Sequence, residues 1–188
     1  MQKKMMKKTD MTADIERILI SEEELHVRIK EVAAQISEDY AGKCPIVVGV
    51  LNGVIPFYAA MVQAMNIPLV MDFMSVHSYE GTSSTGILNI RKDLDHDIEG
   101  RDVIILEDIL DSGRTLSYLL ELFQARKPRS IKICTMLDKP EGRVVDLHAD
   151  YICFEVPNAF VVGMGLDYND YYRNLPFVGV LKPEVYKG

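Results

Sequence analysis

Val103-Ile-Ile-Leu-Glu-Asp-Ile-Leu-Asp-Ser-Gly-Arg-Thr-Leu116 is the stretch that decides the fold. Its first four residues are apolar and three of them β-branched, a short unbroken run that suits a strand buried on both faces of a parallel sheet. Glu107, Asp108 and Asp111 follow, and Ser112-Gly-Arg-Thr115 then leads into a segment whose Leu116, Leu119, Leu120 and Phe123 share one helical face. The acidic residues are therefore expected just beyond the carboxyl end of a buried strand, where open α/β sheets bind ligands.

The two halves of this turn differ in chemistry. At the start of a helix the first N–H groups lack intrahelical partners and the dipole favours an anion. Gly113 permits close backbone approach, and Ser112 and Thr115 add hydroxyl donors. That half reads as a phosphate cup. The carboxylates before it suit a magnesium ion or sugar hydroxyls, both of which seek oxygen acceptors. Together they describe a site for a phosphorylated sugar. The plainer alternative is a solvated acidic loop with an N-capping Ser or Asp. Three carboxylates followed by Ser-Gly-Arg-Thr after an all-apolar strand count against it.

Outward from this stretch the chain alternates between strand and helix patterns. Ser21 and Glu24 form a capping box, Leu25, Ile29, Val32, Ile36 and Tyr40 recur at helical spacing, and Gly42 ends the helix. Pro45–Leu51 predicts a buried strand, Ile55–Met65 a helix and Pro68–Val76 another strand. Ser78–Gly86 is small, polar and aperiodic, a mobile loop, and Ile87–Arg91 returns as an antiparallel partner. Val103–Leu106, Thr115–Ala125 and Ser130–Leu137 continue as strand, helix and strand; the Tyr- and Pro-rich end leaves this rhythm. The fold class is α/β, a mainly parallel twisted sheet flanked by helices.

The chain has 188 residues, 48% apolar and 26% charged, with a formal charge of −7, which suits one globular domain and gives no general electrostatic reason to bind nucleic acid. Cys44, Cys134 and Cys153 are odd in number and far apart, and two lie in apolar runs, so buried thiols and a reducing compartment are expected. The four histidines lack metal-binding spacing. The basic leader Met1–Asp10 has no apolar segment after it, so neither a signal peptide nor a membrane span is expected, and the location should be cytoplasmic. No Gly-x-x-x-x-Gly-Lys-Ser/Thr occurs, and Gly163-Met-Gly165 lacks the third glycine of a dinucleotide fingerprint.

Leu106–Thr115 resembles the signature of type I phosphoribosyltransferases, which bind 5-phosphoribosyl 1-pyrophosphate. From about Ile18 to Leu181 the chain is similar to the hypoxanthine (hypoxanthine-guanine) members of that family. The resemblance implies a single domain over 1–188, with a small hood from about 1–20 and 155–188 and a flexible loop at about 77–87. It implies that Glu107 and Asp108 face the ribose hydroxyls with magnesium nearby, and that Ser112, Gly113, Arg114 and Thr115 hold the 5′-phosphate. Ser112 and Arg114 stand where the family usually has Thr and Lys, and a hydroxyl and a cation are kept. Asp111 would be the general base or acid near N7 of the purine. Leu51-Asn52-Gly53 matches a backbone loop for pyrophosphate, whose first two residues can be joined by a cis peptide.

By the same resemblance Ser78 and Tyr79 belong to a lid, Lys139 donates to O6 of a 6-oxopurine, Phe160 stacks on the base and the Val161 backbone reads its edge. Asp167 positions a second magnesium through water, and Arg173 contacts pyrophosphate. Met164 departs from the pattern, which commonly has an aromatic there. The implied reaction joins hypoxanthine, and guanine, to phosphoribosyl pyrophosphate with Mg2+, in a homodimer or homotetramer, with no nucleic-acid or membrane partner. The alternatives are a phosphoribosyltransferase for xanthine or another base, and a non-catalytic phosphoribosyl-pyrophosphate sensor of the same fold.

Overall fold

The computed structural model describes residues 10–78 and 88–187. In chain order a 3-10 turn at Met11–Asp14 leads to β1 (Ile15–Ile20), α1 (Glu22–Asp39), β2 (Ile46–Leu51), α2 (Ile55–Ala64), β3 (Val70–Ser78), β4 (Leu88–Lys92) and β5 (Asp102–Leu110). Then come α3 (Arg114–Gln124), β6 (Ser130–Asp138), a 3-10 turn at Pro140–Gly142, β7 (Tyr151–Glu155), β8 (Val161–Val162), β9 (Val178–Leu181) and α4 (Pro183–Tyr186). The large sheet has six strands in the order β4-β3-β2-β5-β6-β7. Its strands β3, β2, β5, β6 and β7 are parallel, and β4 closes one edge antiparallel to β3. A second, antiparallel sheet in the order β1-β9-β8 joins the two ends of the chain.

Local chemistry accounts for the elements. At the start of α1 the Ser21 hydroxyl accepts from Glu24 N–H while the Glu24 carboxylate accepts from Ser21 N–H at 2.8 Å, so the capping box is closed. Leu25, Ile29, Val32 and Ile36 are buried on one stripe of that helix. β2 is buried over Ile46–Val50 and pairs on both sides, which is why its sequence is continuously apolar. Gly49 lies under α2, where a Cβ would come 2.7 Å from the Tyr58 ring. Tyr58 packs onto the strand there and donates its hydroxyl to Val47 C=O at 2.9 Å. One core fills the face under α1 and α2, and another, around Leu116, Leu119 and Phe123, fills the face under α3.

The expected order from β2 through β6 is observed, including the antiparallel return at β4. The strand β7 was not among the expected elements, although Tyr151-Ile-Cys-Phe is apolar. It is an edge strand with partly exposed alternate residues, so it lacks the buried run that marks the central strands. Cys134 and Cys153 are buried and Cys44 exposed, all three as free thiols. Tyr79 and most of the loop expected at 77–87 lie outside the described residues, as do Met1–Thr9. No helix among the described residues is long and apolar enough to cross a membrane.

Asp102 anchors the start of β5 from a buried position. Arg129 donates to both its carboxylate oxygens and the Ser130 hydroxyl donates at 2.7 Å. The Arg129 guanidinium holds the Asp102 carboxyl at about 2, below the ordinary 3.8, against the opposing effect of burial. A depressed carboxyl contributes stability above its unfolded value and loses it as pH falls through the folded one. Arg129 is largely exposed, so solvent screening reduces the contribution. Asp102→Asn should cost on the order of 1 kcal/mol at pH 7. The gap from the parent should close between about pH 4 and 2. Urea midpoints across that range check it, and a gap independent of pH would contradict the assignment.

Candidate active site

The site begins where β5 outruns one of its neighbours. Its pairing with β2 ends at Gly49 opposite Leu106, whereas its pairing with β6 runs on to Leu110 opposite Asp138. The sequence placed the strand end at Leu106. The structure corrects this to Leu110, because β6 alone keeps Glu107–Leu110 extended while the other side opens and tolerates carboxylates.

The loop leaving β2 fills that opening. The Leu51–Asn52 peptide is cis. A Cβ on Gly53 would run into the Asp108 carboxylate and lie 3.4 Å from Arg173 Nη1. Gly165, at φ +102°, packs on the Gly53 carbonyl, where any side chain would collide. Arg173 donates through Nη1 to Gly165 C=O at 2.8 Å and pairs through Nη2 with Asp167 at 2.9 Å. Asp167 also accepts from Asp170 N–H at 2.8 Å. The structure therefore brings Leu51, Asn52, Gly53, Asp108, Asp167 and Arg173 together.

Two carboxyls here are held away from their ordinary state. Burial pushes Glu107 well above the ordinary range and the charge of Asp108 adds to it. The residue as a whole is only half-buried, yet its Oε2 is sealed from solvent and has no hydrogen-bond partner. Burial also raises Asp108, to about 6, while the Ile109 N–H and the Arg173 charge oppose the rise. Such oxygens suit a cation or hydroxyl donors. Among the described residues no three His, Cys, Asp or Glu side chains form a metal-binding group. Magnesium commonly takes only one or two carboxylates and completes its shell with water and substrate oxygens, so the donor set fits that mode.

The Ser112–Thr115 turn lies at the start of α3. Gly113 is its N-cap at φ +80°, and no side chain caps the helix. Arg114 N–H stands 3.5 Å from the Ser112 hydroxyl, and Ser112 C=O accepts from Val144 N–H at 3.1 Å. Uncapped N–H groups with the positive end of the helix dipole make an anion cradle. Beside it, Asp111 and Lys139 form an ion pair at 2.9 Å, with the lysine side chain mostly buried and the aspartate about half-exposed. Lys139 N–H also donates to Leu110 C=O at 3.0 Å.

Sequence reasoning missed two residues below this pair. A Cβ on Gly142 would strike the Asp111 carboxylate. Arg143 donates through Nε to Asp111 C=O at 2.9 Å and reaches Leu110 C=O at 3.1 Å, besides Leu147 C=O and the Asp138 carboxylate. A lone arginine four residues after Lys139 carries no signal by spacing. Phe160, 38% exposed, stacks on Tyr186 at 4.7 Å and meets Tyr168 edge-on at 5.7 Å. Val161 is buried in β8. Ser78 ends β3, and Tyr79 lies outside the described residues.

Comparison with known proteins agrees with this geometry. The phosphoribosyl transferase domain family matches residues 19–169. The hypoxanthine-guanine phosphoribosyltransferase of Bacillus subtilis is 55% identical over 178 residues, 94% of this chain and 99% of that protein. Its counterpart from Streptococcus thermophilus is 55% identical over 92% of this chain and 97% of its own. A crystal structure of a hypoxanthine phosphoribosyltransferase from Staphylococcus aureus superposes with a TM-score of 0.92 at 46% identity, covering 97% of this chain and 100% of that one. With the acidic strand end, the uncapped helix start and the buried lysine all in place, the chain belongs to the hypoxanthine-guanine branch of the type I phosphoribosyltransferase family.

Proposed function

We propose that this protein transfers the phosphoribosyl group of 5-phosphoribosyl 1-pyrophosphate to hypoxanthine, and to guanine, in a Mg2+-dependent reaction of purine salvage that yields IMP or GMP and pyrophosphate. The observation that carries the reading is the Lys139–Asp111 pair, set at 2.9 Å beside an uncapped helix start. A mostly buried ammonium can donate to O6 of a 6-oxopurine but finds no acceptor in the amino group of adenine. Asp111 then faces N7, where it takes the proton or fixes the tautomer. Their mutual pairing keeps both in place before a base displaces the contact.

The remaining roles follow from position. N–H groups of Ser112, Gly113, Arg114 and Thr115 hold the 5′-phosphate. Leu51, Asn52, Gly53 and Arg173 hold pyrophosphate, Glu107 and Asp108 accept from the ribose hydroxyls, and Phe160 and Val161 take the base. Glu107, Asp108 and Asp167 would hold magnesium directly or through water. Held there, the ion would supply charge neutralisation for the departing pyrophosphate. The small sheet of β1, β8 and β9 serves as the hood over the site (about 1–20 and 155–188), and Ser78 and Tyr79 belong to its lid. Three free cysteines favour a reducing, cytoplasmic setting. A homodimer or homotetramer is the assembly that the family resemblance implies.

The direct test mixes protein, Mg2+ and phosphoribosyl pyrophosphate with each purine base and follows nucleotide by chromatography. Nucleotide from hypoxanthine is expected, and its loss on chelating Mg2+. No product with any base would sink the reading. Asp111→Asn should lower turnover by on the order of 100-fold or more while changing phosphoribosyl-pyrophosphate binding only slightly. Equal losses in turnover and binding would remove the acid–base role.

Glu107 gives a prediction in the unliganded protein. A carboxyl raised by folding favours the protonated folded state, so stability falls as pH climbs from its unfolded value toward its folded one. Glu107→Gln removes that dependence. The variant should gain stability over the parent as pH rises from 5 upward, by at most about 1.4 kcal/mol per pH unit, while losing turnover. Thermal melting at several pH values checks it, and a constant difference between the two proteins contradicts it.

A further inference from the structure

Two carboxylates and two cations crowd the ends of β5 and β6. Asp138 lies opposite Leu110 across the ladder, so it sits beside Asp111 on the neighbouring strand, and Lys139 follows it directly. A lysine is a point charge on a flexible stem and can serve either carboxylate. Resting on the reaction proposed above, we propose that Arg143 is a positioning residue that sorts these charges. It engages Asp138, so that Lys139 remains free to pair with Asp111 and then with the base.

The contacts of Arg143 support that assignment. Its guanidinium pairs with Asp138, and both side chains are nearly buried, at 11% and 12% exposure. The same fork donates to Leu110 C=O at 3.1 Å, to Asp111 C=O at 2.9 Å and to Leu147 C=O. Four acceptors from three parts of the chain therefore converge on one rigid group, a pattern that suits arginine and not lysine. With Asp138 so engaged, the Lys139 ammonium extends the other way, to Asp111. A buried carboxylate stripped of its partner is costly and recruits the nearest cation. In the proposal that cation is Lys139, the next residue in the chain and the proposed O6 donor. Gly113 and Gly142 leave room for the arrangement: a Cβ on Gly113 would lie 3.1 Å from Arg143 Cδ, and one on Gly142 would displace Asp111.

The charge role separates from a purely mechanical one by rescue. Arg143→Met leaves Asp138 unpaired and should lower kcat/KM for hypoxanthine by on the order of 100-fold. Adding Asp138→Asn removes the competing charge and should restore at least about tenfold, although the carbonyl contacts stay lost. Arg143→Lys keeps a cation beside Asp138 without the fork, and should stay within about tenfold of the parent for the base. Thermal melting of each variant reports whether it is folded. A folded double variant as slow as Arg143→Met overturns the proposal. So does a folded Arg143→Lys that loses 100-fold, which decides the matter if Arg143→Met does not fold. A parent protein that forms no nucleotide overturns the phosphoribosyl-transfer reading itself, whereas an active parent with an unrescued double variant overturns only the charge sorting.

Discussion

Everything at the carboxyl edge of the sheet depends on the unequal length of two ladders. β5 is held on both sides as far as Leu106 and on one side only as far as Leu110. Over those four residues the backbone stays straight because β6 satisfies it, and the vacated side is free to hold carboxylates. The loop leaving β2 enters the vacancy closely enough that Gly53 has no room for a Cβ beside Asp108. A one-residue slip of β5 on β6 would exchange the faces of Glu107, Asp108 and their neighbours. It would also move the start of α3 away from the Asp111 turn. The fully buried run Val103–Leu106 makes such a slip costly, so the core fixes the register that the site uses.

The same edge holds unfavourable electrostatics. Glu107 keeps a buried oxygen with no partner, and Asp108 is raised beside it by burial. The opposing wall, residues 163–173, is also conformationally costly: Met164, Asn169, Asp170 and Tyr172 all have positive φ without being glycine. What holds this wall is remote. Tyr172 is buried and donates its hydroxyl to Asp14 at 3.0 Å, a contact across 158 residues of sequence. The antiparallel pairing of β1 with β9 closes the same connection. Chain ends that would otherwise fray instead secure the segment that carries Asp167 and Arg173.

The legible part of the fold was the part set by hydrophobic period. β2, β5 and β6 are buried on both faces, and their sequences are unbroken apolar runs. α1 carries its stripe and its capping box openly. The strand, turn and helix start of the proposed phosphate cradle were legible for a related reason: they are contiguous, so one stretch of sequence contains them all. β7 was missed because its apolar stretch, Tyr151–Phe154, is only four residues long and lies past the strand–helix alternation, and β8 because two residues carry no period at all. Arg143 was missed because its partners, Leu110, Asp111, Asp138 and Leu147, meet only through the β5–β6 pairing and the turn that follows. Gly53 illustrates a finer difference. The sequence offered it as part of a backbone loop, whereas the structure uses its missing side chain to admit the Asp108 carboxylate.

This division between contiguous and assembled parts also separates the two halves of the proposed chemistry. The residues assigned to the sugar phosphate, Glu107 through Thr115, come from one strand–turn–helix unit anchored in both cores. Those assigned to the base come from the end of β6, the start of β8 and, through the stack on Phe160, the last helix of the chain. The first set is bound to the sheet register and cannot shift without disturbing the buried strands. The second is carried by short elements and loops, where a changed side chain alters pocket shape at small cost to the core. Under the proposed assignment, recognition of the donor is built into the fold, while the choice of base resides in the small sheet and the β6 turn. The charge balance among Asp111, Asp138, Lys139 and Arg143 is where the two halves meet.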